Sequence, residues 1–206
     1  MFEDRIDAAR QLAARLHAYR GQHPLLLAIP RGAVPMARLL ADELDGELDV
    51  VLVRKLRSPR HAETAIGAVD ESGWRYVAPY AAAMGADQDY IEQETQIQLA
   101  AIRARRQSYT PIRAPLDPAG RVVIVVDDGL ATGATMLAAL HALRHHKPAR
   151  LVCAVPVASP DALELVRPQA DDVVCLHAPY YFQAVGQFYR HFPQVEDEEV
   201  LALLGG

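Results

Sequence analysis

The sequence predicts an α/β fold in which a mainly parallel central sheet is flanked by helices. Three observations predict it. Apolar runs rich in β-branched residues recur at 25–29, 50–53, 122–126, 150–157 and 172–176, without the alternation expected of a half-exposed antiparallel strand. Segments with helical apolar spacing fall between them, as in β-α-β units. The 206 residues, 51% hydrophobic and 23% charged, are enough for one buried core, so a single domain over 1–206 is expected.

In chain order, Phe2, Ile6, Ala9, Ala13 and Leu16 fall on one stripe and predict an amphipathic N-terminal helix, which Gly21 and Pro24 stop. Leu25–Ile29 reads as a strand. Pro30-Arg31-Gly32-Ala33 follows as a loop, and Val34, Ala37, Leu40 and Leu44 mark the next helix. Val50–Val53 reads as another strand, ending in Arg54-Lys55. Arg54, Lys55, Arg57 and Arg60 concentrate positive charge in a chain whose net charge is −5. The irregular stretch carrying Arg57, Arg60, His61 and Glu63 suits a mobile loop. Residues 65–69 and 74–77 are expected to pair as a ribbon across 70–73. A long helix is expected from about Asp87 to Arg106, then a Pro-rich connector from Pro111 to Gly120.

Val122–Val126 is the clearest strand, and a helix opens after it near Thr135. His145, His146 and Lys147 suit that helix's C-terminal dipole, and Pro148 ends it. His141 and His145, spaced i, i+4, have no evident third ligand, so they are expected on an exposed helix face rather than at a metal. Strands at 150–157 and 172–176, with a short helix at 161–166, complete the sheet. Residues 177–192 hold six of the thirteen Phe, Tyr and Trp residues, and residues 194–199 open a last helix ending at Leu203-Leu204.

Composition narrows the classes. No run of eighteen apolar residues and no signal-peptide pattern is present, so a cytoplasmic protein with no membrane segment is expected. The net charge argues against nonspecific nucleic-acid binding. Cys153 and Cys175 lie in separate apolar runs and read as buried thiols. A disulfide would require neighbouring strands with suitable geometry.

The chemistry concentrates in residues 121–135, Arg-Val-Val-Ile-Val-Val-Asp-Asp-Gly-Leu-Ala-Thr-Gly-Ala-Thr. Asp127 and Asp128 stand at the carboxyl end of a strand, where open α/β sheets bind ligands. Thr132, Gly133, Ala134 and Thr135 put free N–H groups and two hydroxyls at a helix N-terminus, which suits a phosphate. Neither G-x-x-x-x-G-K-S/T nor G-x-G-x-x-G is present, which disfavours a nucleoside triphosphate or a dinucleotide. Adjacent acids make sense if they accept hydrogen bonds from sugar hydroxyls or hold a hard cation through water. Phosphate at one end and a diol at the other describes a ribose 5-phosphate.

This segment resembles the phosphoribosyl-pyrophosphate (PRPP) signature of type I phosphoribosyltransferases, with Ala134 where many members have a second glycine. The arrangement as a whole, with Ile-Pro-Arg-Gly, Arg-Lys-Leu and Ala-Ile-Gly-Ala-Val, resembles a bacterial subgroup whose acceptor base the motifs do not settle. The resemblance implies the three-layer type I fold, with a core over about 21–176. A small hood would be built from the N-terminal helix and about 177–206. It implies that Asp127 and Asp128 contact the ribose hydroxyls and hold Mg²⁺ through water. Residues Gly129, Leu130, Ala131, Thr132, Gly133, Ala134 and Thr135 would continue that site, with the 5-phosphate on Ala131 to Thr135. Pro30, Arg31, Gly32, Arg54 and Lys55 would bind pyrophosphate, with Arg31, Lys55, Asp127 and Asp128 as the catalytic set. Tyr180, Tyr181 and Phe182, and also Tyr189, would stack on a planar acceptor base or else pack the hood.

The activity implied is Mg²⁺-dependent transfer of the 5-phosphoribosyl group from PRPP to a nitrogenous base, by a homodimer. Two other readings stay open at this point. One is a noncatalytic PRPP-binding regulatory or sensor protein on the same fold. The other is a phosphohydrolase or receiver-like protein using Asp127 as phosphoacceptor.

Overall fold

A computed structural model describes all residues from Met1 to Gly206. Its elements are α1 (Arg5–Arg15), β1 (Leu25–Ala28), α2 (Val34–Leu44), β2 (Glu47–Val50), β3 (Val53–Arg57), β4 (Ala65–Asp70), β5 (Arg75–Val77) and α3 (Gln88–Tyr109). Then come β6 (Val122–Val126), α4 (Ala134–Arg144), β7 (Arg150–Val157), α5 (Pro160–Val166), β8 (Asp172–His177) and α6 (Asp197–Gly205).

Five strands form one parallel sheet in the order β2-β1-β6-β7-β8. The apolar runs hide a period of two. Leu26, Ala28, Ile124, Val126, Val152 and Ala154 belong to the core shared with α1 and α2. Leu25, Leu27, Val123, Val125, Leu151 and Cys153 belong to the core shared with α4 and α5. Both faces are covered, so both sets must be apolar and no alternation shows in the sequence.

The single expected strand at 50–53 is a correction. Val50 ends β2, Val51 and Leu52 turn, and Val53 begins β3 in a second, antiparallel sheet of order β3-β4-β5. The apolar run continues through the junction because Val50, Val51, Leu52 and Val53 are all buried. The ribbon expected at 65–69 and 74–77 is present as β4 and β5. Long helix α3 packs on this second sheet, with Ile91, Leu99 and Ile102 in the core.

Helix starts follow local chemistry. The side chains of Asp4, Asp87 and Ser159 accept from Asp7 N, Tyr90 N and Ala162 N, which caps α1, α3 and α5. In α4, Gly133 takes φ +78° at the cap position and makes no side-chain cap bond. The Cβ of Ala134 is therefore accommodated, because the left-handed residue is Gly133 and Ala134 is already helical. Cys153 and Cys175 sit on adjacent strands β7 and β8, and both are free thiols.

The chain ends meet. Phe2 N donates to Phe188 O, Arg190 N donates to Phe2 O, and the Phe2 and Tyr189 rings lie 5.4 Å apart.

Candidate active site

β1 and β6 are parallel neighbours with Ala28 opposite Val126, so the loops after them leave the sheet side by side. The first loop contains a cis Pro30–Arg31 peptide. The second carries Asp127 and Asp128. Together with β3 and the start of α4 they enclose a cavity of about 680 Å³ at the carboxyl ends of the strands. Pro30, Gly32, Arg54, Lys55, Asp127 and Asp128 line it, as do Gly129, Leu130, Ala131, Thr132, Gly133 and Thr135. The uncapped start of α4 supplies N–H donors and the positive end of a helix dipole to the same cavity.

The acids are not equivalent. Asp127 is held well above the usual carboxylate range, first by burial and second by the charge of Asp128. Asp128 is raised by burial, but Arg5 opposes this. Arg5 Nε and Nη2 approach Asp128 Oδ2 at 3.0 and 2.9 Å, while Arg5 Nη1 donates to Pro193 O at 2.6 Å. The guanidinium carbon also lies 3.8 Å from the centroid of the Phe192 ring, a cation–π distance. Tyr189 Oη donates to the Asp128 carbonyl at 2.7 Å. The second acid is thus clamped by both chain ends. Gly32 makes room for the clamp, since a Cβ there would meet Asp128 Oδ2 at 2.2 Å and Arg5 Nη2 at 3.1 Å.

The opposite wall is basic. Arg54 Nε donates to Gln98 Oε1 at 2.7 Å. Burial, followed by the charges of Arg105 and Arg57, lowers the affinity of Arg54 for its proton. Arg57 and Arg105 also line the cavity, and so do Glu63 and Thr64 from the connection between β3 and β4. Crowded guanidinium groups with few acids among them suit an oligoanion.

Several expected site residues lie elsewhere. Arg31 does not line the cavity. Its Nη1 is 3.6 Å from Glu196 and 3.5 Å from Asp197, because α6 begins with acids beside the loop. Tyr180 and Tyr181 are 94% and 90% exposed and do not line this cavity, and Phe182 packs on Phe188 at 5.1 Å. Tyr189 is core. Residues 178–184 form no helix or strand, and the segment reaches the cavity through Gln183, Val185 and Phe192 instead. His141 is also a correction: its ring stacks on Trp74 at 3.7 Å instead of facing solvent. Sequence reading missed Arg5, Gln98, Arg105, Gln183, Val185 and Phe192.

A family model described as "Phosphoribosyl transferase domain" matches residues 2–189. The crystal structure of TT1426 from Thermus thermophilus superposes with a TM-score of 0.81 at 45% identity, over 99% of this chain and 97% of that one. A Mycobacterium tuberculosis protein provisionally named a phosphoribosyl transferase is 43% identical over 99% of this chain. The chain spans 46% of that relative's length. A Neisseria gonorrhoeae protein solved with bound ppGpp shares the fold at 14% identity, with a TM-score of 0.54 over 100% of this chain and 97% of that one.

Proposed function

The chain belongs to the phosphoribosyl transferase domain family, and from that premise we propose that it transfers the 5-phosphoribosyl group from PRPP to a nitrogenous base. The observation that carries this reading is one cavity with three chemical zones. Uncapped N–H groups and threonines at α4 suit a phosphate, the acidic pair suits a diol, and the Arg54–Lys55 wall suits a leaving oligophosphate.

In this reading a ring nitrogen of the acceptor attacks C1 of the ribose as the C1–O bond to pyrophosphate breaks. The electron pair leaves with pyrophosphate, and the acceptor's proton passes to solvent or to one of the acids. Little covalent chemistry falls to the protein. Residues 131–135 anchor the 5-phosphate, Asp127 and Asp128 accept from the ribose hydroxyls, and the Gly32 backbone, Arg54 and Lys55 hold the leaving group. The anionic pair also favours positive charge building at C1.

The residues fit Mg²⁺ as a cation shared with substrate. Of these two buried acids only Asp128 has an ion-pair partner, Arg5, so the pair keeps uncompensated negative charge. No cluster of three His, Cys, Asp or Glu side chains offers a complete protein cage. Mg²⁺ would neutralise pyrophosphate oxygens when bound, with the acids holding it through water. A homodimer working in the cytoplasm belongs to the same proposal. No helix is long and apolar enough to cross a membrane.

The test is pyrophosphate release from PRPP with Mg²⁺ against purines, pyrimidines, orotate and nicotinate. Release with at least one acceptor is expected, and Asp128→Asn, with its folding checked by circular dichroism because it leaves Arg5 unpaired, should lower it by about 10²–10³-fold. Tight PRPP binding without release by any acceptor would favour a noncatalytic sensor. Failure to bind PRPP would overturn the proposal.

A further inference from the structure

Helix α3 lies against β3, the strand that brings Arg54, Lys55 and Arg57 to the cavity. A helix covering a sheet normally turns an apolar stripe toward it. Here part of that stripe is polar. Of the chain's six buried polar or charged residues, Glu94, Thr95 and Gln98 fall within five consecutive positions of α3. Thr95 is accounted for locally, since its Oγ1 donates to Ile91 O and accepts from Arg75. Glu94 and Gln98 are 7% and 4% exposed, and such groups are costly to bury unless they are satisfied.

Tyr90, Glu94 and Gln98 are spaced i, i+4, i+8 and form one row on the helix, which reaches β3 at successive points. Tyr90 Oη donates to Arg57 O at 2.7 Å. Glu94 Oε1 accepts from Arg57 N at 3.0 Å and from Gln98 Nε2 at 2.8 Å. Gln98 Oε1 accepts from Arg54 Nε at 2.7 Å. Glu94 therefore decides which way the Gln98 amide faces. With Nε2 on the carboxylate, the amide oxygen is turned to the guanidinium. The row backs β3 where its register with β4 breaks, between Leu56 and Arg57.

The neutrality of the acceptor is informative. Where other arginines bridge α3 to the β4–β5 ribbon, their partners are carboxylates: Arg75 meets Glu92, and Arg106 meets Glu71. None of the chain's ion pairs includes Arg54. Gln98 fixes one edge of that guanidinium without compensating its charge. Both residues line the cavity. A positive group that is held in place but not neutralised suits an oligophosphate.

We propose that Gln98, oriented by Glu94, is a positioning residue for the pyrophosphate wall: it aims Arg54 at the leaving group and leaves the guanidinium charge free to bind it. The proposal rests on the phosphoribosyl reading above. Because Gln98 acts through Arg54, its loss should weaken pyrophosphate and spare the 5-phosphate end of the site.

The full chain is titrated by calorimetry with pyrophosphate in Mg²⁺ and, separately, with ribose 5-phosphate. Gln98→Met fills similar space and removes both hydrogen bonds. It should weaken pyrophosphate by about tenfold and leave ribose 5-phosphate within about twofold. In an Arg54→Met background the same change should cost nothing further, since the residue it acts through is gone. Should Gln98→Met fail to fold, Gln98→Asn, which keeps an amide but is one methylene too short for Arg54, should give the same results. Unchanged pyrophosphate affinity would overturn the inference. So would an equal loss for both probes, or a further loss in the Arg54→Met background, which would put Gln98 on the ligand itself. Failure of the parent to bind pyrophosphate would also overturn it, and the PRPP titration would tell whether the phosphoribosyl reading falls with it.

Discussion

Replacing Asp127 with asparagine is expected to make the protein more stable and nearly inactive. Asp127 Oδ1 accepts from Asp128 N at 2.9 Å, a bond that asparagine retains. What the substitution removes is a buried charge beside a second one. Burial and the charge of Asp128 raise the Asp127 pKa in the folded protein. The native state therefore binds a proton more readily than the unfolded chain. That contribution to stability is complete below about pH 4 and is lost as pH rises through the folded value. At neutral pH the protein carries the cost. The variant should gain about 1–2 kcal/mol, roughly 2–8 °C in Tm for a domain of this size. Its turnover should drop by about 10²–10³-fold, because the ribose loses an anionic acceptor. Melting curves between pH 5 and 8 check the physical cause: Tm of the parent should fall with rising pH, and the variant should be flatter. A variant that melts at or below the parent at pH 7.5 would show that the acid is compensated and that the pair is not strained.

The same pair shows why part of this site could be read from the chain and part could not. Strand, acids, loop and helix start follow one another within residues 121–135, so local rules suffice. Even the position that needs a left-handed backbone falls on Gly133. Arg5 gave no such signal. It looks like one more polar residue on an amphipathic helix, and its partner Asp128 lies 123 residues away. The apolar run at 50–53 misleads for a related reason. Burial made it uniform, while the break between two sheets at Val51–Leu52 depends on what packs around it. The aromatic segment was visible as composition, but composition does not say which rings turn inward. Phe192 is held by the guanidinium of Arg5, whereas Tyr180 and Tyr181 lie on an irregular stretch with nothing to pack against.

Arg5→Ala should be among the most destabilising single changes in the chain, and Asp128→Asn should relieve part of the damage. The ion pair is mostly buried, with 11% and 16% of the two side chains exposed. Removing one partner of such a pair leaves an uncompensated charge, at a cost of about 3–5 kcal/mol. The alanine also frees the Pro193 carbonyl and the Phe192 face, so the two chain ends should part over the cavity. In the double variant neither member of this ion pair is left without its partner. The pair should then show a coupling energy of about 1–3 kcal/mol in a double-mutant cycle measured by denaturant unfolding. Arg5→Lys separates charge from geometry. It keeps the charge beside Asp128 but cannot span Asp128, Pro193 and the ring together. Stability should be mostly recovered, and the KM for the acceptor should exceed the parent's, because Phe192 on the cavity wall and Pro193 lose the fork that holds them. If Arg5→Ala and Asp128→Asn are additive, the contact contributes little. The N-terminal helix would then be an ordinary packing element, with no hold on the acidic pair.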